Sequence, residues 1–174
     1  GEVVNKFPAS TNRWEASIGE AAARFTRKDW PGVIERLRQT NGVFQQSAKL
    51  MPDYEYVVRG YLLLGEALMA KKDFPAAEET VQLLAKRKLS QTLDWRRQFL
   101  LCRIQLAAGR TEVALTSTTN LLRLATASGQ PGLSEEFQAG ILERLNKLEE
   151  AVAVYEKNLL PELPAERRRQ ALLK

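Results

Sequence analysis

Hydrophobic and small residues recur along the chain with the spacing of paired amphipathic helices. The clearest stretch, residues 61–85, has the pattern of two helices joined by a turn at Lys72-Asp73-Phe74-Pro75. A small residue, Gly65, lies where the first helix would approach its partner, and another, Ala77, comes three positions after Phe74. This pattern predicts a helical hairpin, which the rest of the chain repeats.

The same frame fits again after each interval of 37 residues. Gly65, Cys102 and Ala139 share its first position, Phe74, Thr111 and Leu148 its second, and Ala77, Ala114 and Ala151 its third. An interval of 44 residues toward the N-terminus gives Ala21, Trp30 and Val33 in the same order. The frame predicts four antiparallel helix pairs, with turns at residues 28–31, 71–75, 108–111 and 145–148.

Turn residues fix the helix boundaries in this frame. Lys72, Gly109 and Asn146 precede the second helices, and Gly and Asn tolerate the left-handed backbone that ends a helix. The tripeptide Asp29-Trp30-Pro31 mirrors Asp73-Phe74-Pro75, and each has an aspartate suited to capping and a proline suited to a first turn. The first two second helices are predicted to begin at these tripeptides.

The helix pattern predicts one domain over residues 1–174, with units at about 12–51, 52–89, 90–128 and 132–160. In the first unit, apolar residues continue to Met51-Pro52 and predict an oversized second helix. The helix over residues 54–70 is unusually apolar and is predicted to be the most buried, because neighbours on both sides would cover it.

Two further boundaries follow from turn-forming residues. Residues 126–134 are the longest turn-rich stretch, where the array is expected to flex, and Ser134 before Glu135-Glu136 is predicted to cap the next helix. Residues 165–174 restart a helical pattern after Pro161 and Pro164, which predicts a C-terminal helix.

The repeated residues resemble the tetratricopeptide repeat family, whose unit has 34 residues. The best matches are Tyr61, Leu64-Gly65, Leu68, Phe74 and Ala77, with partial matches at 109–114 and 146–155. The resemblance covers about residues 14–160 and implies an all-α, right-handed α-solenoid of about four antiparallel helix pairs plus a C-terminal helix. HEAT-type repeats, which run near 40 residues, are the competing interpretation.

In that family the first helices of successive units line a concave groove that holds a protein segment. The resemblance implies that the groove contains Arg59, Leu62, Glu66 and Met69 of the second unit, Arg96, Phe99, Arg103 and Leu106 of the third, and Glu136, Glu143 and Arg144 of the fourth. Family members that bind chaperones clamp a C-terminal carboxylate with Lys and Asn. Because Leu62 and Glu66 occupy two of those positions, that ligand is not expected. The implied function is a noncatalytic scaffold that binds a peptide or a partner helix.

The basic residues of the chain indicate that the expected partner is negatively charged. The 174 residues carry a formal net charge of +5. Arg59 and Arg96 occupy equivalent places in consecutive units, and with Arg103 they would form a basic ladder suited to an acidic protein segment. Ordinary solvated arginines are the alternative interpretation of these residues. An anionic polymer or nucleic acid is the alternative, to which Arg167-Arg168-Arg169 would contribute. The 21 interspersed acidic residues and the lack of a known module argue against it. A structural or homo-oligomerising segment of a larger protein is a third interpretation.

Catalytic chemistry has little support in the sequence. The chain has no histidine, which removes Ser-His-Asp and Cys-His arrangements and histidine zinc sites. The carboxylate pairs Glu78-Glu79, Glu135-Glu136 and Glu149-Glu150 are expected in first turns of helices, where acids favour the helix dipole. The single cysteine, Cys102, is predicted to be a small buried residue at a helix crossing. No catalytic residue, cofactor or metal site is therefore predicted.

Membrane and targeting signals leave the compartment open. No run approaches the roughly 18 consecutive apolar residues of a membrane span. The sequence begins with Gly1-Glu2 rather than methionine, which leaves room for export by a signal that preceded it.

Overall fold

The computed structural model describes residues 11–157, and within them it contains nine α-helices and no β-strand. The helices are α1 Thr11–Thr26, α2 Trp30–Arg38, α3 Val43–Leu50, α4 Glu55–Ala70, α5 Phe74–Gln82, α6 Gln91–Ala107, α7 Thr111–Ser128, α8 Pro131–Arg144 and α9 Leu148–Lys157. The predicted all-α helical repeat is confirmed. The first ten residues and the predicted C-terminal helix at 165–174 lie outside the described range.

The four predicted turns occur where the frame places them, and all four use the same backbone geometry. Lys28, Lys72, Gly109 and Asn146 have φ angles of 60°, 62°, 77° and 58°. At the first turn, the amide of Asp29 donates to the carbonyl of Arg24 at 3.0 Å, and the equivalent bond recurs at each of the others. Each first helix thus ends in a Schellman C-cap. Two of the four positions are lysine, so the register is kept by backbone geometry and not by residue type alone.

The second helices of the first two units begin at the predicted tripeptides. The carboxylate of Asp29 accepts from the amide of Gly32 at 3.0 Å, and that of Asp73 accepts from the amide of Ala76 at 3.3 Å. A proline lies in the first turn of each helix. Both predicted N-caps are confirmed.

The small residues of the frame lie at helix crossings. All eight residues at its first and third positions are buried: Ala21, Gly65, Cys102, Ala139, Val33, Ala77, Ala114 and Ala151. At Gly65, an added Cβ would lie 2.9 Å from Val81 Cγ2 and 3.2 Å from Leu100 Cδ2. Glycine is therefore required where α4 crosses α5 and α6, since a side chain there would overlap its neighbours.

The chain divides into two compact units, residues 1–100 and 101–174, and the boundary lies within α6. In the first unit, α4 packs against α1, α2, α3 and α5, and nine of its sixteen residues are buried, as predicted for the most apolar segment. In the second unit, α8 packs against α7 and α9. Its core contains Ala139, Leu142, Ala151 and Val154, with Leu115 and Tyr155 packed against them.

The predicted oversized helix of the first unit is wrong, because two short helices replace it. Helix α2 ends at Arg38 and α3 begins at Val43. The Nε2 of Gln45 donates to the backbone oxygen of Leu37 at 2.6 Å and so binds a carbonyl at the end of α2. Gly42 follows Thr40-Asn41 and precedes α3 in an extended conformation. These turn-forming residues break a pattern whose apolar spacing alone indicates one continuous helix.

The predicted boundary at Ser134 is also wrong. Helix α7 continues to Ser128 and α8 begins at Pro131, so only Gly129 and Gln130 connect them. Gly129 has a φ of 72°, the left-handed conformation that glycine favours at the end of a helix. Pro131 occupies the first turn of α8, a position that proline favours. Ser134 is buried inside α8, where its hydroxyl donates to the carbonyl of Gln130 at 2.8 Å.

Candidate partner-binding surface

Helix α4 presents a narrow stripe of charged and apolar residues to solvent. Arg59 is exposed, and Glu66 and Met69 are half-buried. The guanidinium of Arg59 pairs with Glu55 and lies 5.9 Å from the ring centroid of Tyr56. This pairing holds the arginine side chain along the helix surface, so its charge has a defined position.

Leu62 lies beside this stripe and offers little surface, since it is only 8% exposed. The next residue, Leu63, is half-buried and continues the accessible face from Arg59. The spacing rule could not separate these two leucines, because all four residues from Tyr61 to Leu64 are apolar and only the packing neighbours decide which are covered.

Within the first unit, α6 supplies a second accessible face. Arg96 is exposed and Phe99 is half-buried, with its ring stacked 5.1 Å from that of the buried Trp95. The adjacent Arg97 is 8% exposed and pairs with Asp94 at 2.8 Å. Arg97 is therefore part of the packing, whereas Arg96 is available to a partner.

The second unit contains the remaining predicted groove residues. Arg103 of α6 is half-buried. Glu143, at the end of α8, is exposed and accepts a hydrogen bond from the hydroxyl of Tyr155 at 3.1 Å. That bond joins α8 to α9, so Glu143 also has a structural contact. The assignment of all these residues to a partner-binding groove stays a prediction.

An aromatic cluster that the spacing analysis missed lies next to Arg59. The rings of Trp14 and Tyr54 are 6.5 Å apart, and those of Tyr54 and Tyr56 are 5.5 Å apart. The hydroxyl of Tyr54 donates to Glu15 at 2.9 Å, and this bond raises the pKa of Tyr54 above its usual value. All three rings are half-buried. Only the three-dimensional packing of α1 beside α4 brings them together.

A charge cluster joins α1 to α2 in the same unit. Glu20 accepts from Arg24 at 3.2 Å and from Arg36 at 2.8 Å, while Arg24 also pairs with Asp29 at 3.1 Å. Burial alone would raise the pKa of Glu20, but the hydrogen bond from Arg24 and the charge of Arg36 lower it overall. This cluster links α1 to α2 and to the turn between them.

Candidate reactive groups are dispersed across the described residues. Within the part of the chain that is described, no three histidine, cysteine, aspartate or glutamate side chains cluster as metal ligands would. Cys102 is fully buried, as predicted. Of the carboxylate pairs, only Glu149-Glu150 lies in a first turn, so that expectation is wrong for the other two, which begin later in α5 and α8.

None of the helices in the described range has the length and apolar character of a membrane span. Among residues 11–157, every helix is too short or too polar to span a membrane.

The profile of the tetratricopeptide repeat-like domain matches residues 15–174. No curated protein and no solved structure matches the chain. The family match covers more than half of the chain and extends the resemblance noted in its repeated residues.

Proposed function

The chain belongs to the tetratricopeptide repeat-like domain family, and from that premise we propose that it is a noncatalytic scaffold that binds an acidic protein segment. Domains of this family mediate protein interactions and are generally noncatalytic repeats. The proposed contact surface is the accessible face of the first helices, which in the first unit belongs to α4 and to α6.

The observation that carries this proposal is the character of that face. The accessible residues of the two helices are exposed cations, Arg59 on α4 and Arg96 on α6, and half-buried apolar side chains, Met69 on α4 and Phe99 on α6. Apolar contacts of this kind supply affinity, and cations around them select for acidic sequences and accelerate association. The contact of Arg59 with the ring of Tyr56 supports the same role, since it places a cation beside an apolar surface that a partner can cover.

Selection from a random peptide library tests the proposal. Peptides displayed on phage are enriched on the immobilised chain, and their affinities are then measured by calorimetry. We expect enrichment of sequences that combine Asp or Glu with apolar residues. Enrichment of neutral or basic sequences would contradict the proposed chemistry.

Substitutions locate the binding face. Arg96→Glu places a like charge against an acidic peptide and should weaken its binding at least about tenfold. Arg38→Glu is the matched control, because Arg38 is also an exposed arginine but lies on the second-helix side, in α2. Equal losses in both variants would mean that net charge, and not this face, governs binding.

Salt dependence separates this proposal from the nucleic-acid alternative. Peptide binding that rests partly on apolar contacts should weaken moderately with ionic strength, because screening acts only on its charged part. Binding to an oligonucleotide would instead show a steep linear fall of log affinity against log salt. Tighter binding of a random-sequence oligonucleotide than of any selected peptide would favour the alternative.

A further inference from the structure

Three aromatic rings and one guanidinium of the first unit form a row, which we call the aromatic row: Trp14, Tyr54, Tyr56 and Arg59. The ring centroid of Tyr54 is 6.5 Å from that of Trp14 and 5.5 Å from that of Tyr56. The guanidinium of Arg59 is 5.9 Å from the centroid of Tyr56. Within the described residues, Trp14 and Tyr56 make no ring contact with each other, so Tyr54 lies between them.

The aromatic row continues the accessible stripe of α4. Tyr56, Arg59 and Leu63 are spaced three and four residues apart, so they lie on one side of the helix. Arg59 is exposed, and Tyr56 and Leu63 are half-buried. A segment bound along this stripe would therefore reach the aromatic row.

The polar atoms of the three rings differ in their hydrogen bonds. The hydroxyl of Tyr54 donates to Glu15 at 2.9 Å. Within residues 11–157, the indole N–H of Trp14 and the hydroxyl of Tyr56 have no hydrogen-bond partner. The row thus combines half-buried apolar rings with two donors that a ligand can use.

A segment in the polyproline II conformation fits this combination. Its carbonyl groups have no internal hydrogen bonds and need outside donors, and two of its residues advance by about 6.2 Å. That advance is close to the 6.5 Å and 5.5 Å steps between neighbouring rings. Aromatic-lined surfaces bind such segments because proline rings pack against them and the segment is already ordered.

We propose that the aromatic row binds prolines of the acidic protein segment, held in the polyproline II conformation. This proposal rests on the proposed function and adds the conformation and a residue type of the partner. The site is the end of the α4 stripe that lies beside α1.

Charges at the two ends of the row orient the segment. Arg59 lies at one end, and its pair with Glu55 is weak, because the two side chains are 52% and 55% exposed. A guanidinium has five N–H donors, so Arg59 can bind a second carboxylate. Glu15 lies beside Tyr54 and would repel an acidic residue there. The acidic residue of the segment therefore belongs beside Arg59, about two residues from the nearest proline.

Three synthetic peptides test the two features of this ligand on the full chain. The first alternates proline with alanine and has a glutamate at each end. The second has alanine in place of each proline, and the third has glutamine in place of each glutamate. We expect the first peptide to bind at least about fivefold more tightly than either of the others in calorimetry, because it is both preordered and charged.

Variants of the row locate the binding. Tyr56→Leu should remove the preference for proline, and Arg59→Gln should remove the preference for glutamate. Tyr155→Leu is the matched control, because Tyr155 is also half-buried but belongs to α9, and it should keep both preferences. Circular dichroism verifies that each variant folds.

The outcomes separate this proposal from the proposed function. Equal affinities for the first two peptides, or a proline preference that persists in Tyr56→Leu, would overturn the proline site and leave the acidic partner standing. Equal affinities for the first and third peptides would overturn the acidic partner and the pairing with Arg59. If none of the three peptides binds at millimolar concentration, both proposals are wrong.

Discussion

Helices α4 and α9 belong to different units of the repeat, and within residues 11–157 they differ in how many helices pack against them. Helix α4 buries nine of its sixteen residues among α1, α2, α3 and α5, whereas α9 buries only Ala151 and Val154 of its ten, against α8. The surface that remains on α4 is a stripe with Arg59 and Glu66, while the surface that remains on α9 contains Leu148 and Val152.

This contrast shows that the repeat frame fixes where a residue points and that neighbouring helices decide whether it is covered. In repeat folds each unit buries its apolar face only by stacking on the next one. The stripe of α4, with both charged and apolar residues, is thus suited to a reversible partner. The outer face of α9 is suited to packing against another apolar surface.

Deletion of apolar volume in the two helices should change stability most. Leu68 of α4 is 1% exposed, so Leu68→Ala should lower the free energy of unfolding by about 2–5 kcal/mol through the cavity it leaves. Leu148→Ala in α9 removes the same group from an open face and should cost clearly less. Urea denaturation followed by circular dichroism measures both. Equal losses would contradict the contrast in burial.

The next effect concerns the crossing at Gly65. Gly65→Leu forces atoms into Val81 and Leu100 and should destabilise by about 1–3 kcal/mol. Gly19 of α1 is the matched control, because an added Cβ there has no atom within 4 Å. Gly19→Leu should gain up to about 1 kcal/mol from helix propensity. The melting temperatures of the two variants should shift in opposite directions. A lower melting temperature in both would mean that the crossing at Gly65 is not more sensitive to added volume than Gly19.

A smaller effect comes from the turns that end α4 and α6. Lys72 has a φ of 62°, so Lys72→Gly should stabilise by about 0.5–1 kcal/mol, since relief of the left-handed strain exceeds the entropy cost of glycine. Gly109→Ala at the equivalent turn should cost about 1 kcal/mol for the same reason. Chemical denaturation of the reciprocal variants checks the pair. An unchanged free energy of unfolding in both variants would mean that the left-handed conformation carries no measurable strain at these turns.

The weakest effect is a pH dependence of the first unit. The lowered pKa of Glu20 means that the folded state prefers its ionised form, so the stability it contributes is present above its ordinary value of 4.5. That contribution is lost as the pH falls from 4.5 through the folded pKa. In urea denaturation across this acid range, Glu20→Gln should reduce the loss of stability. If Glu20→Gln loses as much stability on acidification as the unchanged chain, this carboxylate is not the group responsible.

Local chemistry that recurs was readable from the sequence. The Asp-aromatic-Pro starts occur twice, 44 residues apart, and the left-handed turns and the small residues at crossings recur after 44, 37 and 37 residues, so each repetition supported the others. The helix pairs and most boundaries were therefore predictable. Where turn-forming residues interrupt an apolar pattern, as at Gly42, periodicity alone gave a wrong continuous helix.

Which side chains are exposed at the surface depends on tertiary neighbours and could not be predicted from the sequence. Sequence spacing could not tell that Leu62 is covered while Leu63 is accessible, nor that Arg97 turns inward to Asp94 while Arg96 stays exposed. The cluster of Trp14 with Tyr54 and Tyr56 joins residues from distant parts of the sequence, and only the packing of α1 beside α4 creates it.

Amide hydrogen exchange with and without a selected acidic peptide tests whether the first helices carry the binding surface. We predict slower exchange in α4 and in residues 91–100 of α6 when the peptide is bound, with exchange in α9 unchanged. Slower exchange in α9, with α4 and residues 91–100 unaffected, would contradict this assignment.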